Sequence, residues 1–184
     1  MYKIRIHGRG GQGARMAAKI LGTAGFIEGN DVQDFSLYGS ERRGAPVYSF
    51  CRIGKEKIFE RGYIDEPDFV IVLDDSLIKV VNVMKGLKEN GVIVINSRKK
   101  EKELKLKTKA KIVLIDGREI ALKELGKPIY NTVMLGAFIA ATGILKPESL
   151  IKAVKIELGE HKKLAEGNIK AVKAAYKKVK EGMK

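Results

Sequence analysis

Gly8, Gly10 and Gly13 form a G-x-G-x-x-G pattern within HGRGGQGA, residues 7–14. Glycines let backbone N–H groups approach a ligand closely, and the N-terminus of a following helix favours an anion. The stretch therefore predicts a phosphate or carboxylate site, or else a tight turn that binds no ligand. The candidate ligand residues of this loop are Gly8, Arg9, Gly10, Gly11, Gln12 and Gly13.

The same glycine pattern is also found in dinucleotide sites, where an acidic residue at the end of the second strand holds the ribose hydroxyls. Asp34 has a suitable spacing from Gly13, but it lies inside the second strand pattern rather than at its end. The sequence therefore makes a nicotinamide dinucleotide a weaker interpretation than a simpler anion.

A second charged loop, YGSERRGAP at 38–46, contains Glu41, Arg42, Arg43 and Gly44. On a loop, unlike on a strand, two adjacent arginines can point the same way. One can pair with Glu41 while the other binds a phosphate or a partner's carboxylate. The alternative is a solvated cluster of charges.

Few other residues suggest chemistry, and we predict neither a catalytic residue nor a metal site in this chain. The single cysteine, Cys51, lies in a strand pattern and is expected to be buried. One cysteine excludes an internal disulfide and an iron–sulfur cluster held by this chain alone. His7 ends the first strand and is expected to be a hydrogen-bonded structural residue. Asn131 is expected to cap an apolar helix.

The periodicity of apolar residues predicts alternating strands and helices. Strands are predicted at 3–7, 31–37, 47–54, 68–74, 91–97 and 110–116, with a short extra strand near 57–62. Helices are predicted at 14–28, within 75–90, and at 118–128, 131–143, 147–158 and 169–184. This order indicates an α/β, three-layer, Rossmann-like fold with a largely parallel sheet. Residues 1–184 are expected to form one domain that ends in a basic helix, 169–184. Both charged loops are then expected at one edge of the sheet.

The formal net charge is +14, from 36 Lys and Arg against 22 Asp and Glu. Such a surface attracts nucleic acid, phosphorylated ligands or acidic proteins. Few aromatic residues accompany the basic stretches, and no nucleic-acid-binding motif is present, so nucleic acid is not an expected partner.

The longest apolar run, 133–145, is shorter than a membrane span needs, and the first residues do not resemble a signal peptide. We therefore expect a cytoplasmic protein without a membrane partner, and the composition suggests a thermophilic source.

Two motifs, GRGGQGA at 8–14 and YGSERRGAPV at 38–47, resemble the gamma subunit of the 2-oxoacid:ferredoxin oxidoreductases that use pyruvate or 2-ketoisovalerate. The resemblance covers nearly the whole chain. It continues through EPDFVIVLDDSL (66–77), GVIVINS (91–97), ALKELGKPIYNTVMLGAFIAATG (121–143) and LAEGNIKAVKAAY (164–176).

The resemblance implies one subunit of a heterotetramer that converts pyruvate and coenzyme A to acetyl-CoA, CO₂ and reduced ferredoxin. Thiamine diphosphate, Mg²⁺ and [4Fe–4S] clusters would then lie on the alpha, beta and delta partners. This chain would bind no cofactor alone, would be inactive alone and would help to form the coenzyme A site. The alternatives are a gamma subunit for 2-ketoisovalerate, shared or not, and a free-standing NAD(P)-binding domain. Whether the two loops contact coenzyme A or a neighbouring subunit is left open by the sequence.

Overall fold

A computed structural model describes residues 1–37, 43–159 and 162–183, in which one six-stranded sheet carries six α-helices. The strands are β1 (Tyr2–Arg9), β2 (Asp31–Ser36), β3 (Pro46–Gly54), β4 (Phe69–Val72), β5 (Val92–Asn96) and β6 (Lys111–Ile115). The helices are α1 (Ala14–Ile27), α2 (Glu101–Leu104), α3 (Gly117–Leu125), α4 (Asn131–Thr142), α5 (Pro147–Glu157) and α6 (Lys162–Gly182). A 3₁₀ helix spans Asp75–Lys79.

The strand order is β2-β3-β1-β4-β5-β6. Strands β1, β4, β5 and β6 pair in parallel, and β3 is antiparallel to both of its neighbours, β1 and β2. Five strands therefore run in one direction and β3 runs against them. The predicted α/β fold with a largely parallel sheet is confirmed.

The two faces of the sheet are covered unequally. Helices α1 and α3–α6 pack in one core with the side chains of one face, and α4 lies at its centre with ten buried residues. The alanines of α1, including Ala17 and Ala24, are fully buried and let that helix lie close to the sheet. The other face is covered by a thinner layer, in which Leu77 of the 3₁₀ helix and Leu104 of α2 pack on the strands.

The helix predicted within 75–90 is wrong beyond its first turn, because only Asp75–Lys79 is helical and turns follow. The buried guanidinium of Arg5 donates to the carbonyls of Val83 and Lys85, at 3.3 and 2.5 Å. A helix would use these carbonyls for its own hydrogen bonds. The carbonyls of Val83 and Lys85 therefore accept hydrogen bonds from a charged side chain of β1 instead of from N–H groups of a helix.

The short strand predicted near 57–62 is also wrong, because the segment has no regular secondary structure. The N–H of Ile58 donates to the carboxylate of Asp31 at 2.6 Å, and its carbonyl accepts from the side chain of Gln33 at 3.1 Å. Side chains of β2 thus form the hydrogen bonds that the backbone of Ile58 would make to a neighbouring strand if the segment were a strand. The basic C-terminal helix begins at Lys162, earlier than the predicted 169.

Candidate anion site at the glycine-rich loop

The two charged loops meet at one edge of the sheet, as the sequence predicted for the parts that are described. The N–H of Gly10 donates to the carbonyl of Ala45 at 2.8 Å, and the N–H of Gly44 donates to that of Gly10 at 3.1 Å. Arg9 Nη1 also donates to the carbonyl of Gly44 at 2.9 Å. Arg43 and Gly44 therefore lie beside the glycine loop. Glu41 and Arg42 lie outside the described residues.

Two glycines of the loop have backbone conformations that other residues rarely adopt, with φ of 91° at Gly11 and 77° at Gly13. A Cβ on Gly13 would lie 2.6 Å from Nδ2 of Asn131. That amide donates to the carbonyl of Gly13 at 3.3 Å. The prediction that Asn131 caps α4 is wrong, because Tyr130 is the cap residue and the Asn131 side chain holds the glycine loop instead.

The N-terminus of α1 lies at this edge, and the N–H groups of its first turn point out of the helix there. The first intrahelical bond of the cap runs from Ala17 N–H to the carbonyl of Gly13, so the preceding N–H groups of the first turn have no helical acceptor. The cap residue, Gly13, has no side chain that could accept from these groups, and the first turn of α1 contains no acidic residue. The arrangement favours an anionic ligand.

Two shallow clefts flank the loop. One, of about 290 Å³, is lined by Arg9, Gly10, Gly11, Gly13, Ala14, Arg15, Ser36, Leu37, Val47, Tyr48 and Ser49. The other, of about 450 Å³, is lined by Gly10, Gly11, Gln12 and Arg43. The exposed Arg43 side chain lies over Gly11, where a Cβ would be 4.0 Å from Arg43 Cγ. A ligand in either cleft would meet backbone and cationic groups.

A polar network centred on Asp74 fixes the loop from the β4 side. Gln12 Nε2 donates to Asp74 Oδ2 at 2.8 Å and to the Tyr130 hydroxyl at 3.2 Å. Arg9 donates to Ser76 Oγ at 2.7 Å and forms an ion pair with Asp74 at 3.3 Å. Burial alone would raise the pKa of Asp74, but hydrogen bonds from Ser76 and Gln12 and the charge of Arg9 outweigh burial and lower the pKa. Asp74 is thus ionised and neutralises Arg9.

Sequence reasoning missed Asp74, Ser76 and Tyr130 as residues of this site. A signal was present for the first two, because Asp74 and Ser76 directly follow the buried strand β4, and the carboxyl ends of parallel strands meet at one edge. Tyr130 carried no such signal, since it comes from a loop before α4.

A further cleft of about 340 Å³ lies at the carboxyl ends of β4, β5 and β6. Its lining is Asp74, Asp75, Asn96, Ser97, Arg98, Lys99, Asp116, Arg118 and Tyr130. Arg98 pairs with Asp116 and Lys99 pairs with Asp75, each at 2.8 Å. These charges are therefore neutralised within the chain.

The geometry does not favour a dinucleotide. Asp34 lies in the middle of β2 beneath α1, where a Cβ on Gly22 would be 3.0 Å from Asp34 Oδ1. The strand ends at Ser36, whose hydroxyl lies 2.8 Å from that of Ser49. The described part of β2 therefore offers no carboxylate to a ribose at its end.

Cys51 is completely buried, as predicted, and burial raises the pKa of its thiol. Within the described ranges, no group of three His, Cys, Asp or Glu side chains is arranged to hold a metal ion. In the same ranges, no helix is both long and apolar enough to cross a membrane.

His7 is a buried structural residue next to the loop, as predicted. Arg5 Nε donates to His7 Nε2 at 3.0 Å, and the ring packs edge-on against Tyr48. Nε2 is thus an acceptor and Nδ1 carries the proton, although Nδ1 has no hydrogen-bond partner among the described residues. Burial, assisted by the charge of Arg5, lowers the pKa of His7 to about 3.

This lowered pKa predicts a loss of stability in mild acid. The unfolded chain binds a proton at His7 below about pH 6.5, whereas the folded chain does not until about pH 3. The free energy of unfolding should therefore fall by about 2 kcal/mol between pH 7 and 5 through His7 alone. Urea titrations at several pH values measure this slope. The control His7→Gln keeps an acceptor for Arg5 but cannot titrate, so it should flatten the profile. An unchanged slope in His7→Gln would disprove the assignment.

Comparisons with known proteins define the class of protein. The model of the family described as pyruvate ferredoxin/flavodoxin oxidoreductase matches residues 3–178. The chain therefore belongs to the pyruvate ferredoxin/flavodoxin oxidoreductase family, and the predicted resemblance is confirmed.

Full-length relatives narrow the class to one kind of subunit. The chain is 49% identical over 181 residues to the pyruvate/ketoisovalerate oxidoreductases common subunit gamma of Pyrococcus abyssi, covering 97% of each chain. It is 50% identical over 177 residues to pyruvate synthase subunit PorC of Methanocaldococcus jannaschii, covering 96% of each. The crystal structure of pyruvate oxidoreductase subunit PORC from Thermotoga maritima superposes with a TM-score of 0.84 at 35% identity, covering 96% of this chain and 95% of that one. The predicted gamma-type subunit of an oxidoreductase complex is therefore confirmed, and thermophile relatives are among the matches.

Proposed function

We propose that this chain is the gamma subunit of a pyruvate:ferredoxin oxidoreductase and that its glycine loop helps to bind coenzyme A. The joint position of the glycine loop, the open N-terminus of α1 and Arg43 carries the proposal. Coenzyme A contains a diphosphate and a 3′-phosphate. Backbone N–H groups at a helix N-terminus and an arginine side chain are the groups that bind phosphate in proteins.

Each part of the loop would have a distinct role. The glycines permit close approach of a phosphate, and the N–H groups at the start of α1 would donate to its oxygens. The exposed Arg43 would add charge and a planar pair of donors. Arg9 would be a positioning residue that holds the loop in place, because its guanidinium already binds Asp74 and Ser76. Arg42 and Glu41 are proposed members of the same site.

Alpha, beta and delta partners would supply thiamine diphosphate, Mg²⁺ and the [4Fe–4S] clusters, and would pass electrons to ferredoxin. The chain itself would bind no cofactor and would act in a heterotetramer in the cytoplasm. The relatives named for both pyruvate and ketoisovalerate support a second candidate, in which one gamma subunit serves two oxidoreductases. A contact between the Arg42–Arg43 loop and a neighbouring subunit is the competing role for these arginines.

Replacing Arg43 by alanine in the assembled enzyme is expected to raise the KM for coenzyme A by about tenfold, because a charged hydrogen bond to phosphate is lost. The pyruvate KM and the yield of complex should remain unchanged. Steady-state kinetics and size-exclusion chromatography measure these quantities.

The matched control is Lys55→Ala. Lys55 is an exposed cation that follows β3, at the end of the strands opposite to the glycine loop. Its loss should therefore leave the coenzyme A KM unchanged. Arg43→Lys should recover part of the affinity. If the KM of Arg43→Ala matches that of the wild type, the coenzyme A role is wrong. If the complex fails to assemble, the arginine instead contacts a subunit.

A further inference from the structure

Strand β6 is an outer strand of the sheet, and its free edge presents backbone groups to the outside. The N–H of Lys111 donates to the carbonyl of Gly91 at 2.9 Å, and the carbonyl of Ile115 accepts from the N–H of Ser97 at 3.0 Å. Alternate residues of a strand direct their backbone groups to opposite sides. The N–H and carbonyl groups of Ile112 and Leu114 therefore point away from β5.

A groove of about 360 Å³ runs beside this edge. It is walled on one side by the residues of β6 and on the other by Lys178, Val179, Gly182 and Met183 from the end of α6. Val113 and Leu114 are only partly buried, and Met183 is 43% exposed. An added strand would thus find both hydrogen-bond partners and apolar contacts.

Lysines surround the groove. Lys111 and Lys178 line it, and Lys107 and Lys109 lie just before β6. Glu119 and Glu89 pair with Lys178 and Lys109, at 3.0 and 2.8 Å, and all of these side chains are largely exposed. Lys111 makes no ion pair with the described residues. A second copy of the chain would bring the same lysines and a net charge of +14 to the edge, so the charge favours an acidic partner instead.

We propose that an extended, acidic segment of another subunit joins the sheet as a seventh strand, beside β6. This inference rests on the proposed role of the chain as a subunit. The backbone of Ile112 and Leu114 would pair with the segment. Its apolar side chains would contact Val113 and Met183, and its carboxylates would face Lys111, which makes no ion pair with the described residues.

Residue-resolved hydrogen exchange tests the proposal directly. In the isolated full-length chain the amides of Ile112 and Leu114 should exchange rapidly, because they face outward. In the purified complex they should exchange about tenfold or more slowly. The amides of Val113 and Ile115, which face β5, are internal controls and should be protected in both states. Equal exchange of Ile112 and Leu114 in the two states, within an active complex that contains this chain, would overturn the docking site and leave the subunit role intact. If the chain joins no complex, both proposals are wrong.

Charge reversal provides an independent test. Lys111→Glu should weaken retention of the chain in the complex by about tenfold, because it opposes an acidic segment with a like charge. Lys152→Glu, at an exposed position of α5, is the matched control and should leave retention unchanged. Titration of labelled chain into the remaining subunits gives the affinities. Equal affinity of Lys111→Glu and the wild type would contradict an acidic partner, and so would protection of Ile112 by self-association of the isolated chain.

Discussion

Replacing Arg5 by methionine is expected to lower the free energy of unfolding by about 4 kcal/mol, because it breaks a buried charged hydrogen-bond network. The Arg5 residue is only 6% exposed. Its guanidinium donates to His7 Nε2 and lies within 2.5–3.5 Å of four backbone carbonyls, those of Ile64, Asp65, Val83 and Lys85. Methionine has a similar length but no donor. Buried carbonyls would lose their partner, and each such loss costs about 1–3 kcal/mol.

Urea unfolding followed by circular dichroism measures this loss. Arg61→Met is the matched control, since Arg61 is exposed and, among the described residues, donates to just two carbonyls, those of Ile58 and Glu60. A change within about 0.5 kcal/mol is expected there. Similar losses in the free energy of unfolding for the two variants would show that the buried hydrogen bonds of Arg5 do not stabilise the fold more than those of an exposed arginine.

Arg5 also connects the fold to the site. It lies in β1, four residues before Arg9, and ties the segments around 64–65 and 83–85 to the face of the sheet away from the main helices. Strand β1 leads directly into the glycine loop. We therefore expect Arg5→Met to disturb the loop indirectly, with a loss of stability larger than its loss of coenzyme A affinity.

The sequence predicted most strands correctly because their signals are local. The apolar runs that became β4 and β5 are buried on both faces, and that is visible in residue type alone. The glycine loop was equally visible, since four glycines stand out within six residues and the positive φ angles at Gly11 and Gly13 favour glycine. The meeting of this loop with Gly44 followed from strand direction, because β1 and β2 run in the same direction.

The failures arose where a distant residue determines the local structure. Residues 80–90 have a pattern compatible with a helix, but Arg5 takes two of the carbonyls that a helix would need. Asn131 has a side chain suited to capping its own helix, yet it donates to Gly13, which is 118 residues away in sequence. The hydrogen bond from Gln12 to Asp74 likewise joins residues far apart in sequence, with a separation of 62 residues. Such pairings depend on packing of the whole sheet, so no local pattern could indicate them.

Substitution of Gly13 by alanine should lower the free energy of unfolding by about 3 kcal/mol, through two separable effects. The first is the positive φ of 77°, which costs about 1 kcal/mol for a residue with a Cβ. The second is a collision, because that Cβ would lie 2.6 Å from Nδ2 of Asn131. Displacing Asn131 in the fully packed start of α4 is expected to cost about 2 kcal/mol.

Gly29 provides the control that separates the two effects. It follows the other end of α1, has a φ of 76°, and has no atom within 4 Å of an added Cβ. Gly29→Ala should therefore cost only about 1 kcal/mol. In the assembled enzyme, Gly13→Ala should also raise the coenzyme A KM by about tenfold, because the N–H groups at the start of α1 move, whereas Gly29→Ala should leave it unchanged. Equal destabilisation by the two variants would show that the Asn131 contact does not shape the loop. An unchanged KM in a folded Gly13→Ala enzyme would argue against the start of α1 as the phosphate-binding element.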